Sequence, residues 1–354
     1  MSLPPDLIAE RDRLRAWLVE RVYPRWWTSG ADKAGGGFHD RLDAEGRPIA
    51  GPKRCRVQAR QVFAYSLAGG FGWQGPWPEV MDHGHRVLEE KFRRADGLYR
   101  TRLGSGAGDI VVLYDQAFVL LAEAALAEHG DTDARPRAEA LLALLPTDTA
   151  GGFAELDGEA RLANPNMHLF EAFLAWSWSD AAAGQARLAL RSLTDPETGA
   201  ISEAFGPGWR APGERRVEPG HQFEWAWLLM RHAMRSGDGA ALAAGLRLVE
   251  LGERSGVDRA RNVAVNALDE QLEVVDPGTR LWPQTERLRA HLLAGALTGD
   301  SGCWKNATRA AAGLALFLTE DGQWIDSLEG DDRSAPASSL YHIVGAIAQL
   351  DQAG

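Results

Sequence analysis

Two stretches of the chain begin in the same way, NPNMHLFEAFLA over 164–175 and EPGHQFEWAWLL over 218–229. In each, a proline is followed by His-x-Phe-Glu and an apolar run. His168 and Glu171 are three residues apart, as are His221 and Glu224. On a helix that spacing puts both polar side chains on one face. An imidazole has an ordinary pKa near neutrality and can take and return a proton. A glutamate beside it can orient the ring or stabilise its cation. The pair therefore suits proton transfer, and its duplication points to a repeated structural unit.

The repeat extends in both directions. Upstream lie RVQARQVFAYSLAGG (56–70) and LYDQAFVLLAEAAL (113–126); downstream lie WPQTERLRAHLLAGAL (282–297) and SSLYHIVGAIAQL (338–350). All six start with a polar cluster and run into a small and apolar helix. Their marker residues Gln58, Tyr114, His168, His221, Gln284 and His342 are separated by 56, 54, 53, 63 and 58 positions. Turn-forming glycines followed by an aromatic or aliphatic residue recur before these helices, in GGGFHD (35–40), DGLYR (96–100), GGFAEL (151–156), GAISEAF (199–205), GTRLWPQTE (278–286) and DGQWID (321–326). Glycine there supplies unusual backbone angles. Between them lies a second set of helices at 6–23, 78–95, 133–145, 182–193, 239–256 and 303–318, with apolar residues at helical spacing and Arg and Glu on the other face.

The pattern predicts six hairpins, each an outer charged helix, a loop and an inner apolar helix. Closed into a toroid, they bring the polar heads of the inner helices to one mouth. An open solenoid is the alternative, but its repeats usually run to about 20–45 residues. The heads are Gln58/Arg60, Tyr114/Asp115, Asn164/His168/Glu171, His221/Glu224, Gln284/Glu286 and Tyr341/His342. Gln58 and Gln284 could simply satisfy buried backbone groups, and Arg60 with Glu286 could form a structural ion pair. His39, His83, His85, His129, His232 and His291 fall outside the heads and read as surface or packing residues. Of the 13 tryptophans, Trp26, Trp27, Trp73 and Trp77 read as structural. Trp176, Trp225, Trp227, Trp282 and Trp324 are expected nearer the cavity, where flat aromatic faces suit a sugar.

Other function classes find little support. The net charge of −11 and the lack of a Lys/Arg run argue against nucleic acid or an anionic membrane. No secretory signal or apolar span of about 18 residues is seen, and the two cysteines, Cys55 and Cys303, read as reduced thiols, so a cytoplasmic location is expected. Two His-x-x-Glu pairs could hold a divalent ion, but further ligands lack a clear spacing, and no metal is expected. No nucleotide-binding or serine-hydrolase motif occurs, so no cofactor is expected. The loop GWRAPGERR offers Arg210 or Arg215 to a phosphate or sulfonate and could serve as a lid.

RVQARQVFAY, NPNMHLFEA, EPGHQFEWAWLL, LWPQTE and PASSLYHIVGAI together resemble the N-acylglucosamine 2-epimerase superfamily, in order and over nearly the whole chain. That superfamily includes mannose isomerases, other aldose–ketose isomerases and cellobiose 2-epimerases. The resemblance implies an all-α (α/α)6 barrel forming a single catalytic domain over 1–354, acting on a monosaccharide without metal or nucleotide. A homodimer is compatible with it. It implies His221 and His342 as the acid/base pair, Arg60 at the sugar oxygens near the reacting carbons, His168 in ring opening or sugar binding, and Glu224 supporting His221. Tyr114, Asn164, Trp282 and Glu286 resemble sugar-binding positions, with Asp115 and Glu171 also expected at the substrate.

The chemistry would run through a cis-enediolate. Return of the proton to C1 gives a ketose, and return to C2 from the opposite face gives the epimer. The ending PASSLYHI favours the bacterial mannose isomerases, making D-mannose to D-fructose the leading expectation and a sugar 2-epimerase the alternative. A glycoside hydrolase or lyase would need two carboxylates across the bond, for which Asp115 and Glu286 are the candidates. A non-catalytic sugar-binding protein is a further alternative.

Overall fold

A computed structural model describes residues 3–353 except 105–108, 157–159, 212 and 214. Among the described residues, twelve principal helices alternate between an outer and an inner ring. The outer helices are α1 (Pro5–Trp17), α3 (Trp77–Val87), α5 (Ala134–Leu142), α7 (Ser179–Leu188), α9 (Gly239–Ser255) and α11 (Ser301–Ala315). The inner helices are α2 (Cys55–Ser66), α4 (Leu113–Glu128), α6 (Ala163–Trp176), α8 (Pro219–Ser236), α10 (Leu281–Thr298) and α12 (Ser339–Ala353). The ring closes where α12 packs against α10 on one side and α2 on the other. Near this seam Arg41 and Leu42 pair antiparallel with Pro336 and Ala335. The fold is thus the (α/α)6 toroid that the repeat predicts. Among the described residues no helix is long and apolar enough to cross a membrane.

Local sequence explains the alternation. Inner helices are apolar around most of their circumference because they touch both the outer ring and the centre. Tight reversals join inner to outer helices. Gly237 and Gly299 end α8 and α10 with φ of 75° and 73°, a left-handed conformation that glycine adopts without a steric penalty. Asp238 and Asp300 follow at once and cap α9 and α11 by accepting backbone N–H bonds. The segments after α1, α3 and α7 widen into π turns, with Ala31, Arg93 and Thr194 donating to the carbonyls of Trp26, Leu88 and Ala189 five residues back.

A repeated clamp fixes the start of the inner helices. The turn segments fold back so that Phe38, Tyr99, Phe153 and Ile201 bridge to the ends of the preceding outer elements. An amide on the next inner helix then takes both backbone groups of that residue. Gln58 holds Phe38, Gln116 holds Tyr99, Asn166 holds Phe153, Gln222 holds Ile201 and Gln284 holds Ala264, at 2.7–3.1 Å. Gln58 and Gln284 therefore have the backbone role anticipated for them. The fifth turn, however, lies at Val257–Ala264 rather than in GTRLWPQTE. The clamp also sets direction. The residue two positions after each amide, namely Arg60, Phe118, His168, Glu224 or Glu286, occupies the middle of the toroid. Arg60 and His168 both lie against the Phe118 ring, and Glu224 lies near His168.

Candidate active site

At the mouth where the inner helices begin lies a cavity of about 210 Å³, lined by Arg60, Tyr114, Asn164, His168, Glu218, His221, Glu224, Arg280, Trp282 and His342. Eight of the side chains singled out from the sequence meet there. Trp282 sits between the two outer histidines, its ring centroid 4.8 Å from His221 and 5.6 Å from His342. Arg60 donates to Tyr114 Oη at 2.6 Å and to the carbonyl of Ser338 at 3.3 Å, and its guanidinium lies over the rings of Phe118 and Tyr341. The aromatic walls fix the cation's position while leaving Nε without a partner.

The two histidines are tuned in opposite directions. His342 Nδ1 lies 2.8 Å from Glu286 Oε1, and Glu286 is in turn held by Arg289 Nη1 at 2.8 Å. With Nδ1–H donated to Glu286, Nε2 is left unprotonated. Burial, reinforced by the positive charge of Arg60, drives the His342 pKa well below that of a free imidazole. It is neutral at pH 7. His221 Nδ1 lies 2.7 Å from Glu203 Oε2 and 3.9 Å from Glu218. Burial lowers its pKa, but Glu203 and Glu218 outweigh burial, and the net shift is upward. His221 thus favours the imidazolium. Two like groups pushed apart in pKa within one cavity are an arrangement for acid–base division of labour.

A third histidine forms the floor. His168 Nδ1 lies 3.4 Å from Glu171 and 3.8 Å from Glu224. Burial pulls its pKa down to about 4, against the opposing pull of Glu171. Burial opposes ionisation of Glu171, but the bonds from His168 and Tyr341 and the charge of Arg289 bring that carboxyl down to about 2. Glu224 behaves differently. Burial and the neighbouring Glu286 and Glu171 push its pKa far up, which favours its neutral acid form.

Several expectations need correcting. Glu224 does not support His221; that place is taken by Glu203 from the preceding loop. Asp115 is buried away from the cavity and lies against Arg56 at 3.4 Å, because it falls on the flank of α4 rather than its inner face. Glu286 is fully buried behind His342 and contacts that ring instead of a ligand. Glu171 lies beneath the cavity, where it accepts from Tyr341 Oη. Arg60 and Glu286 form no ion pair, since Glu286 is bound by Arg289. The carboxylate pair considered for a hydrolase, Asp115 and Glu286, therefore does not face the cavity.

Among the tryptophans expected near the site, only Trp282 lines it. Trp225 is buried in the wall, Trp324 stacks on Trp26, and Trp176 and Trp227 lie toward the opposite mouth. In the loop 208–216, Pro212 and Glu214 lie outside the described residues. Arg215 pairs with Asp195, Arg210 is exposed, and neither lines the cavity. The histidines assigned to packing include His83, His85, His129 and His291, bonded to Gly37 O, Glu123, Ser66 O and Glu253.

Glu203, Glu218, Arg280, Arg289 and the hydroxyl of Tyr341 were not singled out from the sequence for these roles. Glu218 and Arg289 each had a signal, three residues before His221 and three after Glu286, which is one helical turn. Glu203 had none, because a ribbon pairing Arg161–Leu162 with Ala204–Phe205 brings its loop across to the cavity.

Two buried groups could supply metal ligands: His168, Glu171 and Glu224, and Glu224, Glu286 and His342, with ligand atoms in each within 4.8 Å of one another. Arg289 already lies against both sets, 2.8 Å from Glu286 and 3.6 Å from Glu171. A dication there would be placed beside a fixed guanidinium, so the donor set is a poor fit for one.

The N-acylglucosamine 2-epimerase (GlcNAc 2-epimerase) family profile matches residues 36–346, and the chain belongs to that family. It is similar to a mannose-6-phosphate isomerase of Rhizobium meliloti (strain 1021), 38% identical over 98% of both chains. In fold it is similar to a D-mannose isomerase crystal structure, with TM-score 0.88 and 20% identity over 99% of this chain and 100% of the other. A cellobiose 2-epimerase from Bacillus thermoamylovorans B4167 gives 0.87 and 16% over 97% and 99%. The chain is accordingly an enzyme of the sugar isomerase and epimerase class.

Proposed function

We propose that the enzyme interconverts D-mannose and D-fructose by proton transfer through a cis-enediolate. The observation that carries this reading is the pair of oppositely tuned histidines flanking Trp282, with Arg60 in the same cavity. Neutral His342 takes the C2 proton of the open-chain aldose through Nε2. Protonated His221 gives a proton to the carbonyl oxygen as charge develops, and Arg60 stabilises that charge. His342 then returns a proton to C1 while the O2 hydroxyl gives its proton to His221, which leaves the C2 carbonyl of the ketose and restores both histidines. His168 and neutral Glu224 serve as hydrogen-bond partners for the sugar hydroxyls or for ring opening, with Tyr114 and Asn164 beside them.

An unphosphorylated sugar is favoured because both arginines of the cavity already have partners. Arg280 is bound to Glu218 at 2.7 Å and to Asn266 at 3.0 Å, and Arg60 is bound to Tyr114 and to the carbonyl of Ser338. A second reading, mannose 6-phosphate, draws support from the name of the Rhizobium relative; it would require Arg280 to leave Glu218. A 2-epimerase would use the same residues with the proton returned to C2.

The test is turnover by H342A and H221A, assayed by fructose formation from mannose with circular dichroism as a check on folding. Loss of activity in both folded variants is expected. Wild-type turnover in either would overturn the assignment.

A further inference from the structure

The other mouth of the toroid, where the inner helices end, holds a larger chamber of about 520 Å³ that the proposed chemistry does not use. Four arginines line it: Arg135, Arg231, Arg235 and Arg289. The acids among its lining residues are Glu128 and Glu171, and Glu171 already accepts from Tyr341. Three of the arginines have evident employment. Arg135 pairs with Glu139 at 3.6 Å, Arg235 donates to the carbonyl of Leu174, and Arg289 holds Glu286. Arg231 has neither a hydrogen bond nor an ion pair with the described residues. It lies over the Trp227 ring, 4.8 Å from the centroid, while Arg289 lies 3.7 Å from the same ring.

Two guanidiniums share one indole, with a third a helical turn away, and of the three only Arg289 has carboxylate partners among the described residues. Burial, and the repulsion of Arg235 and Arg289, lower the pKa of Arg231 to about 10. A protein with 49 acidic and 38 basic residues has ample acidic side chains to neutralise such a cluster, yet the one acid whose charge reaches Arg231, Glu171, is already engaged by Arg289 and Tyr341. A simple structural account is that the cluster offsets the negative ends of the converging inner helices. Arg235 does so through the Leu174 carbonyl; Arg231 makes no such bond.

We propose that this chamber is a second ligand site for a small phosphate-type dianion, gripped by Arg231 and Arg235 with Arg289 at its floor. Guanidiniums match phosphate oxygens in bidentate geometry. Filling the site reaches the catalytic cavity through Arg289, which carries Glu286, the partner of His342, and contacts Glu171, the partner of His168. An anion there neutralises part of the charge that holds His342 neutral. The acid limb of the pH–rate profile therefore moves upward when the site is filled.

The experiment titrates inorganic phosphate into the enzyme at constant ionic strength made up with chloride, following calorimetric heat and melting temperature. Wild type is expected to bind saturably, with binding retained at saturating mannose. Arg231→Gln should weaken phosphate by about tenfold, the loss of one charge-assisted contact, while turnover in phosphate-free buffer stays at the wild-type level. Equal binding by wild type and Arg231→Gln would place the ion elsewhere and overturn the proposal. So would displacement by mannose, or the absence of saturable binding, which would leave the arginines as counter-charges for the helix ends. None of these outcomes depends on which sugar the catalytic cavity turns over, since mannose analogues that bind without reacting serve equally in the competition.

Discussion

Replacing Glu203 by glutamine removes the charge that pairs with His221, together with one acceptor, since the second carboxylate oxygen takes the backbone N–H of Glu218 at 3.2 Å. The amide oxygen can still accept from Nδ1–H across the 2.7 Å contact, so the ring keeps its orientation. What changes is the stability of the imidazolium. A hydrogen bond to a charged partner contributes about 1.5–3 kcal/mol. At 1.36 kcal/mol per pKa unit, its weakening lowers the His221 pKa by about 1–2 units. Glu218, 3.9 Å away, retains part of the upward shift. The sign follows from the role. His221 must be protonated to act as the acid, and its raised pKa extends activity toward alkaline pH. In E203Q the alkaline limb of kcat/KM should therefore move down by about 1–2 units, with activity above the new limb falling about tenfold per pH unit. The acid limb, set by His342, should stay in place. The assay is mannose isomerisation across pH in wild type and variant. An alkaline limb at the same pH in both enzymes, or a displaced acid limb, would refute the assignment of His221 as the acid.

Four further perturbations probe separate parts of the site and its frame. Glu286→Gln, which removes the partner of His342 Nδ1 and of buried Arg289, should cut kcat on the order of 10²-fold and lower the melting temperature, measured by steady-state kinetics and calorimetry. Arg60→Met should lower kcat by about 10²–10³-fold and alter KM much less, because the guanidinium acts on charge that appears only in the transition state. Gln116→Leu should spare the catalytic groups but leave the buried N–H and C=O of Tyr99 without their partners, costing about 2–4 kcal/mol in denaturant unfolding. Prolonged EDTA treatment should leave turnover unchanged; restoration of lost activity by one divalent ion would instead assign a metal to the Glu224–Glu286–His342 group.

The helical repeat was legible because burial imposes periodic patterns. Outer helices such as 239–255 carry charge on one face, while inner helices such as 163–176 are apolar nearly all round. Side-chain direction was less legible. The polar heads of the six repeats were aligned on Tyr114, His168 and His221, whereas the structural register runs through Gln116, Asn166 and Gln222, whose amides hold the preceding turns. One or two residues of offset turn a helical side chain by 100° or more, which is why Asp115 lies in the wall while Tyr114 lines the cavity. Glu286 and Glu171 were found as members of the site, but their roles depend on Arg289 and Tyr341, partners reached across the toroid or along a helical turn. Glu203 depends on a two-residue ribbon, a contact between distant segments that leaves no spacing signal in the sequence.

The most direct test of the account is incubation of the enzyme with D-mannose in D2O, followed by NMR. Proton transfer by His342 through an enediolate predicts fructose as the first product, carrying deuterium at C1. Glucose appearing first with deuterium at C2 would contradict it and make the enzyme a 2-epimerase. Unchanged mannose beside ready conversion of mannose 6-phosphate would contradict the assignment of a free sugar as substrate.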